Sequence, residues 1–112
     1  MIDSLHEKTM RVCGATPDSI VDASTTITFE ESDGAVSARY SGGNIRLGLL
    51  VGKRSGADVV FRYAQLAADG SLDGGVSKCE LSLTDDGRMR LTEHYTWESR
   101  PGGGVNVFEE VE

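Results

Sequence analysis

One carboxylic acid in this sequence lies among apolar residues of a strongly alternating segment. Residues 88–98 alternate between two faces, and Glu93 shares its face with Leu91, Tyr95 and Trp97. A carboxyl group that leaves water for apolar surroundings needs a partner or acquires a raised pKa. Glu93 is therefore the residue whose type and position best suit acid–base chemistry or the anchoring of a ligand.

Three interpretations of Glu93 are open from the sequence. In the first, it forms an internal hydrogen bond with Gln65, Tyr40 or Tyr63. In the second, it is a ligand anchor, or a general acid or base, in a pocket with aromatic walls. In the third, it lies near an open end and is solvated. Because pockets are mostly apolar with a few placed polar groups, six residues that alternation places on the inner faces of the strands are predicted to bind the ligand: Tyr40, Tyr63, Gln65, Glu93, Tyr95 and Trp97.

The elements that must position these residues are strands, because the hydrophobic pattern has a period of two and is interrupted by glycine-containing turns. Asp-Gly, a strong hairpin signal, occurs at 33–34, 69–70, 73–74 and 86–87. Strands are predicted at 8–13, 25–31, 35–41, 44–53, 57–66, 76–84, 88–98 and 104–111. Eight antiparallel strands with short links most simply close into an up-and-down (meander) barrel. The prediction is a single all-β domain over residues 1–112, with a two-sheet β-sandwich as the alternative.

The alternation also predicts which side chains fill the barrel. The expected apolar inward set is Ile27, Phe29, Ala38, Tyr40, Ile45, Leu47, Leu49, Val51, Val59, Phe61, Tyr63, Leu81, Leu83, Met89, Leu91, Tyr95, Trp97, Val105 and Val107. Gln65, Glu93 and Glu109 are the polar residues predicted on that face. The apolar residues expected outside are Leu50, Val60, Leu66 and Phe108, and a β-bulge is expected near Ser77 because Val76 is out of phase.

Composition and net charge indicate which classes of binding partner this protein is expected to lack. Eleven basic against eighteen acidic residues give a net charge of -7, which disfavours binding to nucleic acid or to anionic membranes. The N-terminal residues contain no hydrophobic signal segment, and only Cys13 and Cys79 are cysteines, so we expect a cytoplasmic protein with reduced thiols. His6 and His94 lack ligand-type spacing with the cysteines, and we predict no metal site and no cofactor.

Several ordered motifs resemble a set of short bacterial proteins that often carry the name N-acetylglutamate synthase. The motifs are Tyr40-Ser41-Gly42-Gly43-Asn44-Ile45, Arg62-Tyr63-Ala64-Gln65, Asp69-Gly70-x-Leu72 and Arg90-Leu91-x-Glu93-x-Tyr95-x-Trp97. The resemblance covers about residues 36–111 and implies a compact β-barrel similar to lipocalin or avidin-like folds. The enzyme name itself conflicts with the residues, because acetyl-CoA-dependent acetyltransferases are mixed α/β domains with a pyrophosphate loop leading into a helix, and this sequence predicts neither.

Three functions from different classes follow. The favoured hypothesis is a module that binds a small apolar or amphipathic molecule inside the barrel. The alternative is a non-catalytic homodimer with a filled interior that acts through exposed apolar residues. The third is an enzyme that uses Glu93 as general acid or base beside Tyr95.

Overall fold

The computed structural model describes residues 4–17 and 19–111 as one closed β-barrel. Eight antiparallel strands follow each other around it in chain order, and β1 closes the ring by pairing with β8. The strands are β1 Thr9–Ala15, β2 Thr26–Ser32, β3 Ala35–Gly42, β4 Ile45–Ser55, β5 Asp58–Ala67, β6 Leu72–Leu83, β7 Met89–Trp97 and β8 Gly103–Glu110. The meander barrel predicted from the period-two pattern is confirmed, and the sandwich alternative is excluded. Residues 1–3, 18 and 112 of the predicted domain lie outside the described residues.

On β4 beyond Leu47, the side chains that point into the barrel are the ones predicted to point outward, and the reverse is also true. The register with β5 shifts between Ile45 and Leu47, as expected of a β-bulge. One extra residue exchanges the two faces of everything that follows, so Leu50 is buried while Leu49 and Val51 are 50% and 67% exposed. Leu47 is only half-buried. The predicted inward positions of Leu47, Leu49 and Val51 and the predicted outward position of Leu50 are therefore wrong.

The inner and outer faces of β8 are also exchanged relative to the prediction. Its register with β7 places Asn106 opposite Glu93 and Phe108 opposite Leu91. Residues directly opposite each other share a face of the sheet, so Asn106 and Phe108 are buried. The predicted inward positions of Val105 and Val107 are wrong, and both side chains are half-buried on the other side.

Three further predictions need correction. Glu109 lies on the outer side, where its carboxylate accepts hydrogen bonds from Arg90 at 2.9 and 2.7 Å. Leu83 is 51% exposed because it is the last residue of β6. No bulge occurs at Ser77: β6 pairs in continuous register with both neighbours, so Val76 simply faces out and Ser77 faces in.

One end of the barrel is closed by the segment that precedes β1. Leu5 is fully buried in the core, and its N–H donates to Glu31 Oε1 at 2.8 Å. Arg54 Nη1 lies 2.9 Å from the same oxygen, and both side chains of this ion pair are largely buried. Although burial opposes it, the Leu5 N–H and Arg54 hold the pKa of Glu31 below its ordinary value. The chain thus seals this end with an apolar side chain and a hydrogen-bonded ion pair.

Both cysteines are free thiols, Cys13 exposed and Cys79 buried. Residues 4–17 and 19–111 contain no helix with the length and hydrophobicity of a membrane span.

Candidate functional site

A small cavity lies inside the barrel, toward the end where the β1–β2 and β7–β8 connections lie. The cavity volume open to water is about 30 Å³, which holds about two water molecules if one needs roughly 10–15 Å³. The barrel interior is therefore mostly filled by side chains. The cavity is lined by Ser19, Ile20, Val21, Ile27, Tyr40, Leu50, Phe61, Tyr63, Gln65, Glu93, Tyr95, Trp97, Asn106 and Phe108.

Glu93 is held beside this cavity by two hydrogen bonds from neighbouring strands. Ser77 Oγ on β6 donates to Glu93 Oε2 at 2.6 Å, and Asn106 Nδ2 on β8 donates to Glu93 Oε1 at 3.0 Å. Burial raises the pKa of Glu93, while these two hydrogen bonds act in the opposite direction. The internal partners predicted from sequence, Gln65 and the tyrosines, are wrong. The solvated interpretation is also wrong, because Glu93 is buried.

Three polar atoms around the cavity are buried and have no hydrogen-bond partner among the described residues. They are Tyr63 Oη, Gln65 Nε2 and Asn106 Oδ1. The other atom of each amide is occupied, since Gln65 Oε1 accepts from Tyr40 Oη at 2.7 Å and Asn106 Nδ2 donates to Glu93. A buried polar group without a partner costs about 1–3 kcal/mol, and nearly all buried polar groups in proteins have one, so three such groups at one cavity need an explanation.

Each of the three tyrosines lies against a glycine on the neighbouring strand. Tyr40 is paired with Gly48, Tyr63 with Gly75 and Tyr95 with Gly104. A Cβ atom on any of these glycines would collide with the ring or hydroxyl of its tyrosine. The inward glycines therefore leave the room in which the aromatic rings pack against backbone. Gly48 and Gly75 act in this way because they fall on the inner face of β4 and β6.

An aromatic cluster forms one wall of the cavity. The Tyr63 and Trp97 ring centroids are 5.8 Å apart and those of Tyr95 and Trp97 are 5.4 Å apart, both edge to face. This is a favoured geometry for aromatic pairs. The Arg100 guanidinium lies 4.2 Å from the Trp97 ring centroid, within the range of a cation–π interaction. The cluster gives this end of the barrel an aromatic wall.

The phenols of Tyr40 and Tyr63 are neutral hydrogen-bonding groups. Burial, and next the proximity of Glu93, raises the pKa of both well above the ordinary value of a phenol. The same two causes raise the pKa of the Cys79 thiol. Around Glu93 the barrel therefore offers polar groups that stay uncharged at neutral pH.

All six residues predicted from the sequence line this one cavity: Tyr40, Tyr63, Gln65, Glu93, Tyr95 and Trp97. The sequence reasoning missed Ser77 and Asn106, which hold Glu93. Asn106 was assigned outward because valines flank it, and Ser77 because Val76 suggested a bulge. It also missed the loop residues Ile20 and Val21, which carry no periodic signal. A signal for Asn106 was available, because Phe108 shares its phase and is the largest apolar side chain of β8.

Comparison with known proteins agrees with this architecture. A family model described as Avidin-like protein matches residues 3–111. No curated protein and no solved structure matches the chain. Because the family match spans nearly the whole sequence and the structure is a closed eight-stranded meander, this chain belongs to the family of avidin-like proteins.

Proposed function

We propose that this avidin-like barrel binds a small amphipathic molecule with an uncharged polar head. The observation that carries the proposal is the set of three buried, unpartnered polar atoms around one cavity, Tyr63 Oη, Gln65 Nε2 and Asn106 Oδ1. The family supports the same class of function, since avidin-like barrels are suited to binding small molecules.

The charge of the lining favours an uncharged head. None of the described residues that line the cavity is a lysine, arginine or histidine. An anionic head would thus lose its hydration without gaining a counter-charge, and it would lie close to Glu93. Gln65 Nε2 is a free donor and Asn106 Oδ1 a free acceptor, so the matching head both accepts and donates, as a primary amide does.

The remainder of the lining favours an apolar tail. Phe61, Trp97 and Phe108 present rings to the cavity, and Leu50 and Ile27 complete the wall. Burial of an alkyl chain contributes about 0.8 kcal/mol for each CH₂ group. An amide with a short alkyl tail therefore matches both parts of the site.

Hexanamide tests this chemistry against hexanoate, which has the same tail and a charged head. We expect hexanamide to change the fluorescence of Trp97, the only tryptophan of the chain, in a saturable way, and hexanoate at pH 7 to do so at least tenfold more weakly. Equal binding of the two molecules would contradict an uncharged head. No binding of hexanamide at millimolar concentration would contradict the proposed class of ligand.

Tyr63→Phe is the variant that separates binding from stability. It removes only a hydroxyl that has no hydrogen-bond partner among the described residues, so the free energy of unfolding is expected to stay the same or rise. Hexanamide affinity is expected to fall about two- to tenfold, the value of one hydrogen bond. Tyr40→Phe is the comparison, because it breaks the bond to Gln65 Oε1 and should lower the free energy of unfolding. Urea denaturation measures the stabilities.

A second candidate function is supported by the outer surface. Leu49 and Val51 are 50% and 67% exposed on β4, and Val60, 37% exposed, lies diagonally across on β5. Adjacent exposed apolar side chains are typical of interfaces, and a homodimer through this face is the simplest symmetric assembly. The outer surface predicted from sequence was thus only partly right, since Leu50 and Phe108 are buried.

The homodimer is tested by measuring the molar mass of the wild type and of the double variant Leu49→Lys/Val51→Lys by light scattering. The expected masses are about 24 kDa for the wild-type dimer, twice the 12.0 kDa chain, and 12.0 kDa for the variant. Because both side chains are exposed, the variant is expected to unfold within about 0.5 kcal/mol of the wild type once dimer dissociation is taken into account. A wild-type monomer at high protein concentration would contradict the homodimer.

A further inference from the structure

We infer that Ile20 and Val21 form a plug that must leave the barrel mouth before a ligand enters, so that these two side chains limit the size of the ligand. The inference rests on the proposed function, because it concerns access to the same cavity. Ile20 and Val21 belong to the connection between β1 and β2, and both pack against the hydrophobic core.

The cavity is partly open to solvent, but its volume is too small for the molecule that its lining suits. About 30 Å³ remain beneath the plug, room for about two waters and not for an amide with an alkyl tail. The polar atoms that lack partners lie on strands of a closed barrel and cannot move far. The plug is the part of the lining outside the strands, together with Ser19, so space for a ligand is gained most readily by moving it.

Hydrogen bonds to the strands hold the β1–β2 connection at its two ends, at Thr16 and Thr25, but not at the plug. At one end, Thr16 N–H donates to Val105 O at 3.0 Å, and Val105 N–H donates to Thr16 Oγ1 at 3.1 Å. At the other end, the buried Thr25 donates from its hydroxyl to Gly42 O at 3.1 Å. Among the hydrogen bonds of the described residues, none joins Ile20 or Val21 to a strand. Val21 N–H donates to Ser19 Oγ at 3.3 Å within the connection itself, so among the described residues it is apolar packing that holds Ile20 and Val21 against the strands.

The barrel is also least continuous beside the plug. β1 pairs with β2 at three positions, from Thr9 to Arg11, whereas β2 pairs with β3 at seven. Beyond Arg11 one more backbone hydrogen bond, from Val12 N–H to Thr25 O at 3.2 Å, joins the two segments before they separate. Ile20 and Val21 take no part in that bond or in the strand pairing, so moving the plug outward leaves these hydrogen bonds in place.

Two consequences follow for binding. When only the open form accepts a ligand, the apparent affinity is reduced by the fraction of molecules that are open. Truncating the plug raises that fraction and enlarges the space beneath it. The effect is expected on ligand affinity and on access of solutes to Trp97, which lines the same cavity and is 6% exposed.

The test compares wild type, Ile20→Ala/Val21→Ala and the control Leu72→Ala, which truncates a residue that is 73% exposed at the start of β6. We expect hexanamide to bind the plug variant at least about tenfold more tightly than wild type. We expect acrylamide to quench its Trp97 fluorescence severalfold more efficiently. Leu72→Ala should match wild type in both measurements, and circular dichroism should show the β-barrel in all three proteins.

The outcomes distinguish this inference from the proposed function. If hexanamide binds wild type and the plug variant within twofold of each other, the plug does not control access and the inference is wrong. If hexanamide binds none of the three proteins, the amide ligand is wrong, and quenching decides about the plug. Unchanged quenching in the plug variant overturns the plug, while increased quenching in that variant alone supports it.

Discussion

Leu5→Ala is expected to lower the free energy of unfolding by about 2–5 kcal/mol, the usual cost of truncating a buried leucine to alanine. Leu5 is fully buried although it precedes the first strand, and its side chain fills one end of the barrel. The loss would be a large fraction of the roughly 5–15 kcal/mol that stabilises a typical domain. The loss of stability is measured by urea denaturation, with circular dichroism as the probe of unfolding.

Leu72→Ala is the matched control for this prediction. The same truncation at a residue that is 73% exposed is expected to change the free energy of unfolding by less than about 0.5 kcal/mol. A similarly small change for Leu5→Ala would mean that the segment before β1 is not part of the cooperative fold. In that case Glu31 and Arg54 alone would close this end of the barrel.

Glu93→Gln is expected to remove a loss of stability that the wild type suffers as the pH rises. Burial raises the pKa of Glu93 in the folded state, whereas the unfolded chain has the ordinary value of about 4.3. Between these two values the folded state holds a proton that the unfolded state has released. The contribution of Glu93 to the wild-type free energy of unfolding therefore falls with rising pH, at most by about 1.4 kcal/mol per pH unit. Glutamine has no such proton to lose, so the variant gains relative to wild type across this window.

The difference between the two proteins isolates Glu93 from the other carboxyl groups. Hydrogen bonds and ion pairs hold the pKa of Glu109 and Glu110 below the ordinary value, so their contribution to stability is lost as the pH falls. Both proteins share that behaviour, and it cancels in the difference. Urea denaturation from pH 3.5 to 8 should show a gap that widens upward from about pH 4.3. A gap that is independent of pH would show that Glu93 ionises as readily inside the barrel as outside it.

Glu30→Gln provides the control for the pH experiment. Glu30 lies on the outer side of β2 and is exposed. This variant should keep the wild-type dependence of stability on pH, because Glu93 remains in place. The protein has a net charge of -7, and losing any carboxylate changes that charge. The control removes an exposed carboxylate, so the comparison shows which part of the effect comes from the burial of Glu93.

The inner location of the predicted site residues was predictable because it depends on local alternation. On β7, every second residue from Met89 to Trp97 is buried, without a break. Side chains alternate between the two faces along any strand, so pairing with β6 and β8 does not change which of these side chains share a face. The same reasoning placed Tyr40, Tyr63 and Gln65 correctly on the inner face. Their convergence at one cavity followed from closure of the barrel, which the eight glycine-punctuated strands already favoured.

The hydrogen-bonding partners of Glu93 were not predictable, because they depend on register between strands that are distant in sequence. Ser77 is opposite Tyr95, and Asn106 is opposite Glu93. Each of these positions lies in a strand where the apolar residues fit either face. Val76 led to a predicted bulge that took Ser77 out of the inward phase, and Val105 and Val107 favoured the wrong phase of β8. Only the pairing with β7 decides both positions.

By itself, the sequence determined the all-β class, the number of strands, the meander order and the inward direction of Glu93, since each follows from period-two alternation and turn residues. Tertiary structure decided the phase of β4, where a bulge after Ile45 places Gly48 against Tyr40. It also decided how full the interior is, because Leu5 closes one end while Ile20 and Val21 enter the other. Such choices depend on how side-chain volumes from distant segments fill one enclosed space, and no local pattern encodes that sum.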